Sequence, residues 1–162
     1  MSKKTIAIVG ATEKEGTQIA GKIANKHNRL LLVSENMEKL LSLQNILSEK
    51  DPAAEIETIE CVKDGCWEAD IILLAVQAED EKKVAEMMKE VATQKIVGSL
   101  SENTISVDEL QKILPYSRLV KVSGISDSKN ISVTGNDAAA NKEILDIFLH
   151  AGLPVSIINN KN

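Results

Sequence analysis

Thr5-Ile6-Ala7-Ile8-Val9-Gly10-Ala11-Thr12-Glu13-Lys14-Glu15-Gly16 is the stretch that decides the fold. Its first half is a nearly unbroken apolar, β-branched run ending in glycine, the pattern of a strand covered on both faces in a parallel sheet. Its second half opens a helix. From Gly16 to His27 the apolar positions Ile19, Ala20, Ile23 and Ala24 recur at helical spacing and mark one face that packs back on the sheet. Strand, tight glycine turn and helix in that order aim free backbone N–H groups and the positive end of a helix dipole at the turn, where a phosphate is held.

Working outward, the same alternation repeats. The pattern predicts strands over 30–33, 56–59 and 71–76, the last being the buried run Ile71-Ile72-Leu73-Leu74-Ala75-Val76, with helices over 37–47 and 80–91. Beyond them it predicts strands over 95–97, 118–122, 131–134 and 155–158, with helices over 107–114 and 138–150. Breakers fall between elements, at Asp51-Pro52, Gly135-Asn136-Asp137 and Gly152-Leu153-Pro154, and no long linker or internal repeat divides the chain. Strands alternating with crossover helices imply a three-layer, doubly wound, mostly parallel α/β sheet of the Rossmann type, built as a single domain over 1–162.

Composition narrows the function. The chain has 162 residues with 43% apolar content, enough for one proper core. Its 19 basic and 24 acidic residues leave a formal charge of −5, so no positive field draws nucleic acid or an anionic membrane. Aromatic residues make up only 2%, too few to stack bases along a single strand. The apolar run after Met1-Ser2-Lys3-Lys4 is too short for a membrane span or a secretory signal, and a cytoplasmic location is expected. Cys61 and Cys66 have no neighbouring ligand cluster, so they read as reduced, inert thiols with no metal site.

Gly10 lets the chain leave the first strand sharply, and Gly16 lets the helix approach the sheet closely. Both roles also suit a purely structural turn. The case for a nucleotide site grows because an acidic residue, Glu35, follows the second strand.

The run Ile6-Ala7-Ile8-Val9-Gly10-Ala11-Thr12 with Gly16 resembles the deazaflavin-dependent NADP reductase family, whose turn reads Gly-Gly-Thr-Gly-x-x-Gly. The likeness extends through Ala69-Asp70 and the run 71–76, Arg118-Leu119-Val120-Lys121, Thr134-Gly135-Asn136-Asp137 and Pro154-Val155, nearly the whole chain. It implies a dinucleotide bound at the carboxyl ends of strands one, two and four. Gly10, Ala11, Thr12 and Gly16 would lie at the pyrophosphate, Ser34 and Glu35 at the adenosine ribose, and Ala75 and Val76 at the end of the fourth strand. It also implies direct hydride transfer between a bound NADP and a deazaflavin coenzyme, by positioning and with no catalytic side chain assigned; the expected partners are the dinucleotide and a small-molecule or deazaflavin substrate.

Three departures from the family pattern shape the reading. Glu13 stands where the family's middle glycine approaches the phosphates, with Glu15 close behind, and a carboxylate there weakens anion binding although Lys14 offsets part of the repulsion. Glu35 replaces the family's arginine beside Ser34, which suits the free 2′-hydroxyl of NAD and repels the 2′-phosphate of NADP. Equally, Glu35 is a solvated loop residue and Ser34 or Asn36 a helix cap. Gln77 replaces a proline, and Ser99-Leu100-Ser101-Glu102-Asn103-Thr104 replaces the family's features after the fifth strand. An enzyme needs polar groups converging near the nicotinamide, and Gln77 and 99–104 are the candidates. The alternative is a non-catalytic interaction or sensing module of the same fold.

Other chemistries fail on spacing. Tyr116 has Val120, not lysine, one turn away, so a Tyr-Lys dehydrogenase pair is absent, and Gly21-Lys22-Ile23 falls inside a helix rather than in a phosphate loop. His27 and His150 read as helix C-terminal caps, Trp67 as a helix residue packed on the sheet edge, and Met87-Met88 as a buried stripe. Glu79-Asp80-Glu81-Lys82-Lys83 reads as a solvated first helical turn that could border a pocket. Two copies could pair through the edge near 155–158 or through an exposed helix; oligomeric state stays open.

Overall fold

The computed structural model describes residues 3–100, 106–125 and 130–158. Strands β1 (Lys4–Val9), β2 (Asn28–Val33) and β3 (Glu55–Ile59) alternate with helices α1 (Lys14–Ile23), α2 (Met37–Lys50) and α3 (Val62–Glu68). There follow β4 (Ile71–Leu74), α4 (Ala78–Met88), β5 (Ile96–Ser99), α5 (Val107–Ile113), β6 (Arg118–Ser123), β7 (Ile131–Thr134), α6 (Ala138–His150) and β8 (Val155–Ile157). Among the described residues these strands form one sheet in the order β3-β2-β1-β4-β5-β6-β7-β8. Every pairing is parallel except β6 with β7.

Strand periodicity divides the core into two layers. Ile6 and Ile8 of β1 face one side, where α1, α2 and α6 supply Ile19, Leu40, Leu43, Ile144 and Phe148. Ala7 and Val9 face the other, where α3, α4 and α5 supply Cys66, Ala85, Met88 and Leu110. Because both faces of the central strands are covered, β1 and β4 read as unbroken apolar runs rather than as alternating ones. The chain winds outward from β1 through β2 to β3, then returns to place β4 on the other flank of β1. The sheet's topological switch point therefore lies between β1 and β4, and a crevice opens there at the carboxyl ends of the strands.

Several sequence expectations need correction. The fourth strand stops at Leu74, because Ala75 and Val76 leave the ladder in a turn packed against Gly10. Helix α1 ends at Ile23, so His27 lies beyond it and caps nothing; its ring stacks on that of His150, with centroids 6.1 Å apart. Trp67 is helical but 69% exposed, since the two turns of α3 turn Val62, Gly65 and Cys66 to the sheet and leave the next position pointing outward. Met88 is buried whereas Met87 is 43% exposed. Glu81, expected in solvent, is fully buried. At the β8 edge, Ile157 and the following Ile158 keep exposed side chains.

Burial also settles the thiols. Cys66 lies in the α3 layer and burial pushes its thiol up to about 12, whereas Cys61 is exposed. A thiol reagent at neutral pH should therefore label a single cysteine in the native chain and both after denaturation, counted by intact mass. Rapid native labelling of both would refute the packing described for α3.

Candidate functional site

The turn after β1 is held by the protein's own atoms. Gly10 adopts φ +86°, and a Cβ there would lie 2.8 Å from the Ala75 carbonyl oxygen. A Cβ on Gly16 would lie 2.1 Å from the Gly10 carbonyl oxygen. The backbone N–H groups of Gly10 and Ala11 both donate to the Val33 carbonyl, at 3.0 and 3.2 Å, which ties the turn to the end of β2. Thr17 donates its hydroxyl to the Ala11 carbonyl at 2.9 Å and stitches the first turn of α1 to the same loop. Ala75 donates to the Val9 carbonyl at 2.8 Å, which brings the end of β4 beside the turn.

Glu13 is the residue between these anchors. Its backbone is ordinary extended chain (φ −76°, ψ 163°), so no glycine is required there. It occupies the N-cap of α1 without a side-chain capping bond. Its carboxylate instead accepts a 3.4 Å contact from the Gln77 side-chain amide, across the gap between the β1 and β4 turns. This is a long, solvent-exposed hydrogen bond that costs little to break.

On the β2 side, the hydroxyls of Thr12 and Ser34 meet at 2.8 Å. Ser34 also accepts from the Asn36 backbone at 3.1 Å, and Asn36 caps α2 by accepting from Lys39 N–H at 3.1 Å. Of the two cap residues considered, Asn36 is the one that caps. Glu35 is exposed beside them. These groups line a cleft of about 400 Å³ together with Val33, Val62, Val84 and Met87 as apolar wall and Lys39, Asp80 and Lys83 as charged rim. The volume falls within the range of small-molecule sites, and the place is the switch point.

Of the eight expected site residues, Gly10, Thr12, Ser34, Glu35 and Val76 line this cleft. Ala11 and Ala75 are buried behind it, and Gly16 sits at the α1–loop contact. Gln77 lines the cleft as well. Of the stretch 99–104, Ser99 and Leu100 are buried and 101–104 lie outside the described residues. Asp80 and Lys83, from the charged run that could border a pocket, do line the cleft, whereas Lys39, in the first turn of α2, was not singled out from the sequence.

Behind the α4 wall of the cleft, Ser99 at the end of β5 hydrogen-bonds both oxygens of the buried Glu81 carboxyl, at 3.1 and 3.2 Å. Burial raises this acid above its usual range, while the Ser99 hydrogen bond and the Lys121 charge pull the other way. Among the described residues no cluster of three or more metal-ligating side chains occurs, and no helix is long and apolar enough to cross a membrane.

A doubly wound parallel sheet with a glycine turn, an acidic residue after β2 and a cleft at the switch point defines the class of Rossmann-fold nucleotide-binding domains. Residues 5–103 match the family of coenzyme F420-dependent NADP oxidoreductases, and the chain belongs to that family. No curated protein matches the sequence. Among solved structures, a pyrroline-5-carboxylate reductase from Coxiella burnetii superposes with a TM-score of 0.81 at 21% identity, over 99% of this chain and 60% of that one. A protein described as an F420-dependent NADP reductase from Arthrobacter sp. FB24 gives 0.73 at 17% identity, over 94% and 83%. Pyrroline carboxylate reductase from Plasmodium falciparum, solved with NADP bound, gives 0.73 at 16%, over 98% and 59%. The chain thus spans about 60% of the length of these pyrroline carboxylate reductases. At such identities the likeness is one of fold.

Proposed function

We propose that the cleft binds an NAD-type dinucleotide and that the domain serves an oxidoreductase reaction. The observation that carries this reading is the placement of Gly10, Thr12, Ser34 and Glu35 around one cleft at the switch point. In it, Glu35 and Ser34 meet the adenosine ribose. Gly10, Ala11, Thr12 and Gly16 shape the backbone that faces the pyrophosphate, and Ala75 and Val76 border the nicotinamide half. Supporting it, the polar groups of Ser34, Glu35 and Asn36 line the β2 side of the cleft. On the pyrophosphate side the exposed Glu13 carboxylate would have to turn to solvent. The nicotinamide, when bound, supplies the hydride chemistry; the chain's part is to bind and orient it.

Calorimetric titration with NAD, NADH, NADP and NADPH tests the reading. NAD and NADH should bind, and the 2′-phosphorylated forms should bind at least about fivefold more weakly, since one like-charge contact at 4 Å is worth roughly 1 kcal/mol in water and roughly 4 kcal/mol near a protein surface. Glu35→Ser should narrow that gap. Equal affinity for all four forms would refute the role given to Glu35.

A second reading is favoured by the Glu13–Gln77 contact, which joins the two turns across the pyrophosphate path. In it the domain is a non-catalytic interaction or sensing module that no longer takes a dinucleotide. Silence of the parent and of Glu13→Gly toward all four dinucleotides would select it.

A further inference from the structure

Helix α4 has two neighbouring stripes with different tasks. Asp80, Lys83, Val84 and Met87 line the cleft, while Glu81, Ala85 and Met88 are buried beneath it. The buried acid thus shares the first turn of the helix with Asp80 of the cleft wall, and Lys83 and Val84 follow in the next turn. A neutral carboxylic acid sits in such a layer at modest cost, whereas an ionised one loses most of its hydration. The turn that holds it can regain water only by moving outward, and the cleft wall moves with it.

Two groups among the described residues favour the ionised form of Glu81 against its burial. Lys121 of β6 is the charge that acts on it among the described residues, and Ser99 is its hydrogen-bond partner. Helices α3 and α5, packed against α4, turn their charged side chains Lys63, Asp64, Glu68, Asp108, Glu109 and Lys112 to solvent. On α4 itself Glu79, Asp80, Lys82 and Lys83 are exposed.

We propose that Glu81 is a proton latch on the cleft: the protonated acid holds the first turn of α4 against β5 and keeps the nucleotide wall in place, and its ionisation releases that wall. Ligand binding in the cleft then takes up a proton, and by reciprocity the proton tightens the ligand. This coupling rests on the nucleotide reading of the cleft, but the latch itself does not. The sign follows from linkage. An acid whose folded value lies above the ordinary 4.5 favours the closed state fully below that value. The advantage is lost as pH rises through the folded value.

The ligand-free test is amide hydrogen exchange over 78–84 in a pH series from the acid's ordinary value of 4.5 to about pH 8, corrected for the intrinsic pH dependence of exchange. In the parent, protection of this turn should fall by about fivefold or more across the series, the lower end of measured couplings. In Glu81→Gln, which keeps a neutral group of the same shape, it should stay level. Glu81→Met, apolar and of similar length, should also stay level, which guards against a special effect of the amide. NAD affinity should follow the same pattern, falling with pH in the parent and flat in both variants. Parallel pH profiles in parent and variants overturn the latch. A latch that passes the exchange test in a protein deaf to NAD at every pH overturns the coupling and the nucleotide reading together, leaving the two failures distinguishable.

Discussion

Gly16→Ala should yield no stable folded protein. The added Cβ would stand 2.1 Å from the Gly10 carbonyl oxygen and 3.0 Å from the Ala11 Cα, which are backbone atoms rather than the far end of a flexible side chain. The Gly10 oxygen already accepts the Glu13 N–H at 3.0 Å, so it cannot swing away without breaking the turn. The other escape is for α1 to back off from the sheet, which would open the fully packed contacts of Ile19, Ala20 and Ile23. Either route belongs to the severe class of substitutions, about 4 kcal/mol or more. Gly21, in the same helix, has nothing within 4 Å of its would-be Cβ. Gly21→Ala should therefore leave stability unchanged or raise it by roughly 0.5–1 kcal/mol. Urea unfolding followed by circular dichroism compares the two. A Gly16→Ala midpoint near the parent's would refute the close contact at the turn.

Glu13→Gly should bind NAD at least about fivefold more tightly than the parent. The carboxylate lies between the β1 and β4 turns, on the path proposed for the pyrophosphate, and a like charge at 4 Å contributes about 1 kcal/mol in water and about 4 kcal/mol near a protein surface. The mutation costs the fold little. Glu13 makes no side-chain cap, its extended backbone suits any residue, and glycine is an accepted N-cap. Calorimetry on parent and variant reads the change, and Glu13→Gln separates charge from bulk, since it should recover most of the gain if repulsion is the cause. Unchanged affinity in both variants would mean that the Glu13 side chain already lies clear of the phosphates in the complex.

The sheet was legible because its signals are local. Continuous apolar strands, helical stripes such as Leu40, Leu43 and Leu47, and Gly or Pro between elements each act within a few residues. What escaped was set by how distant elements meet. The run Glu79-Asp80-Glu81-Lys82-Lys83 reads as solvated because every member is charged, but Glu81 shares a helical stripe with Ala85 and Met88, and that stripe faces the end of β5. Trp67 failed in the opposite sense: it read as packed on the sheet edge, while Val62, Gly65 and Cys66 already filled the side of α3 that meets the sheet. At the site, Gly10, Thr12, Ser34 and Glu35 were legible from their order along the chain. The Glu13–Gln77 contact was not, because it joins side chains 64 positions apart.

The place of β1 in the sheet also governs how the chain reaches this structure. Its two edges are satisfied from opposite directions, by β2 with Ile6 opposite Leu30 and by β4 with Ile6 opposite Ile71. A nascent chain that has emerged only as far as β3 therefore holds an apolar strand with one open edge, the kind of ladder that templates pairing with another chain. Closing the β1–β4 pair requires a loop of more than 60 residues with α1, α2 and α3 inside it, and pairings of such range form slowly because the loop-closure entropy is lost before the contact is made. The arrangement that creates the crevice thus also leaves one edge of β1 open until β4 arrives.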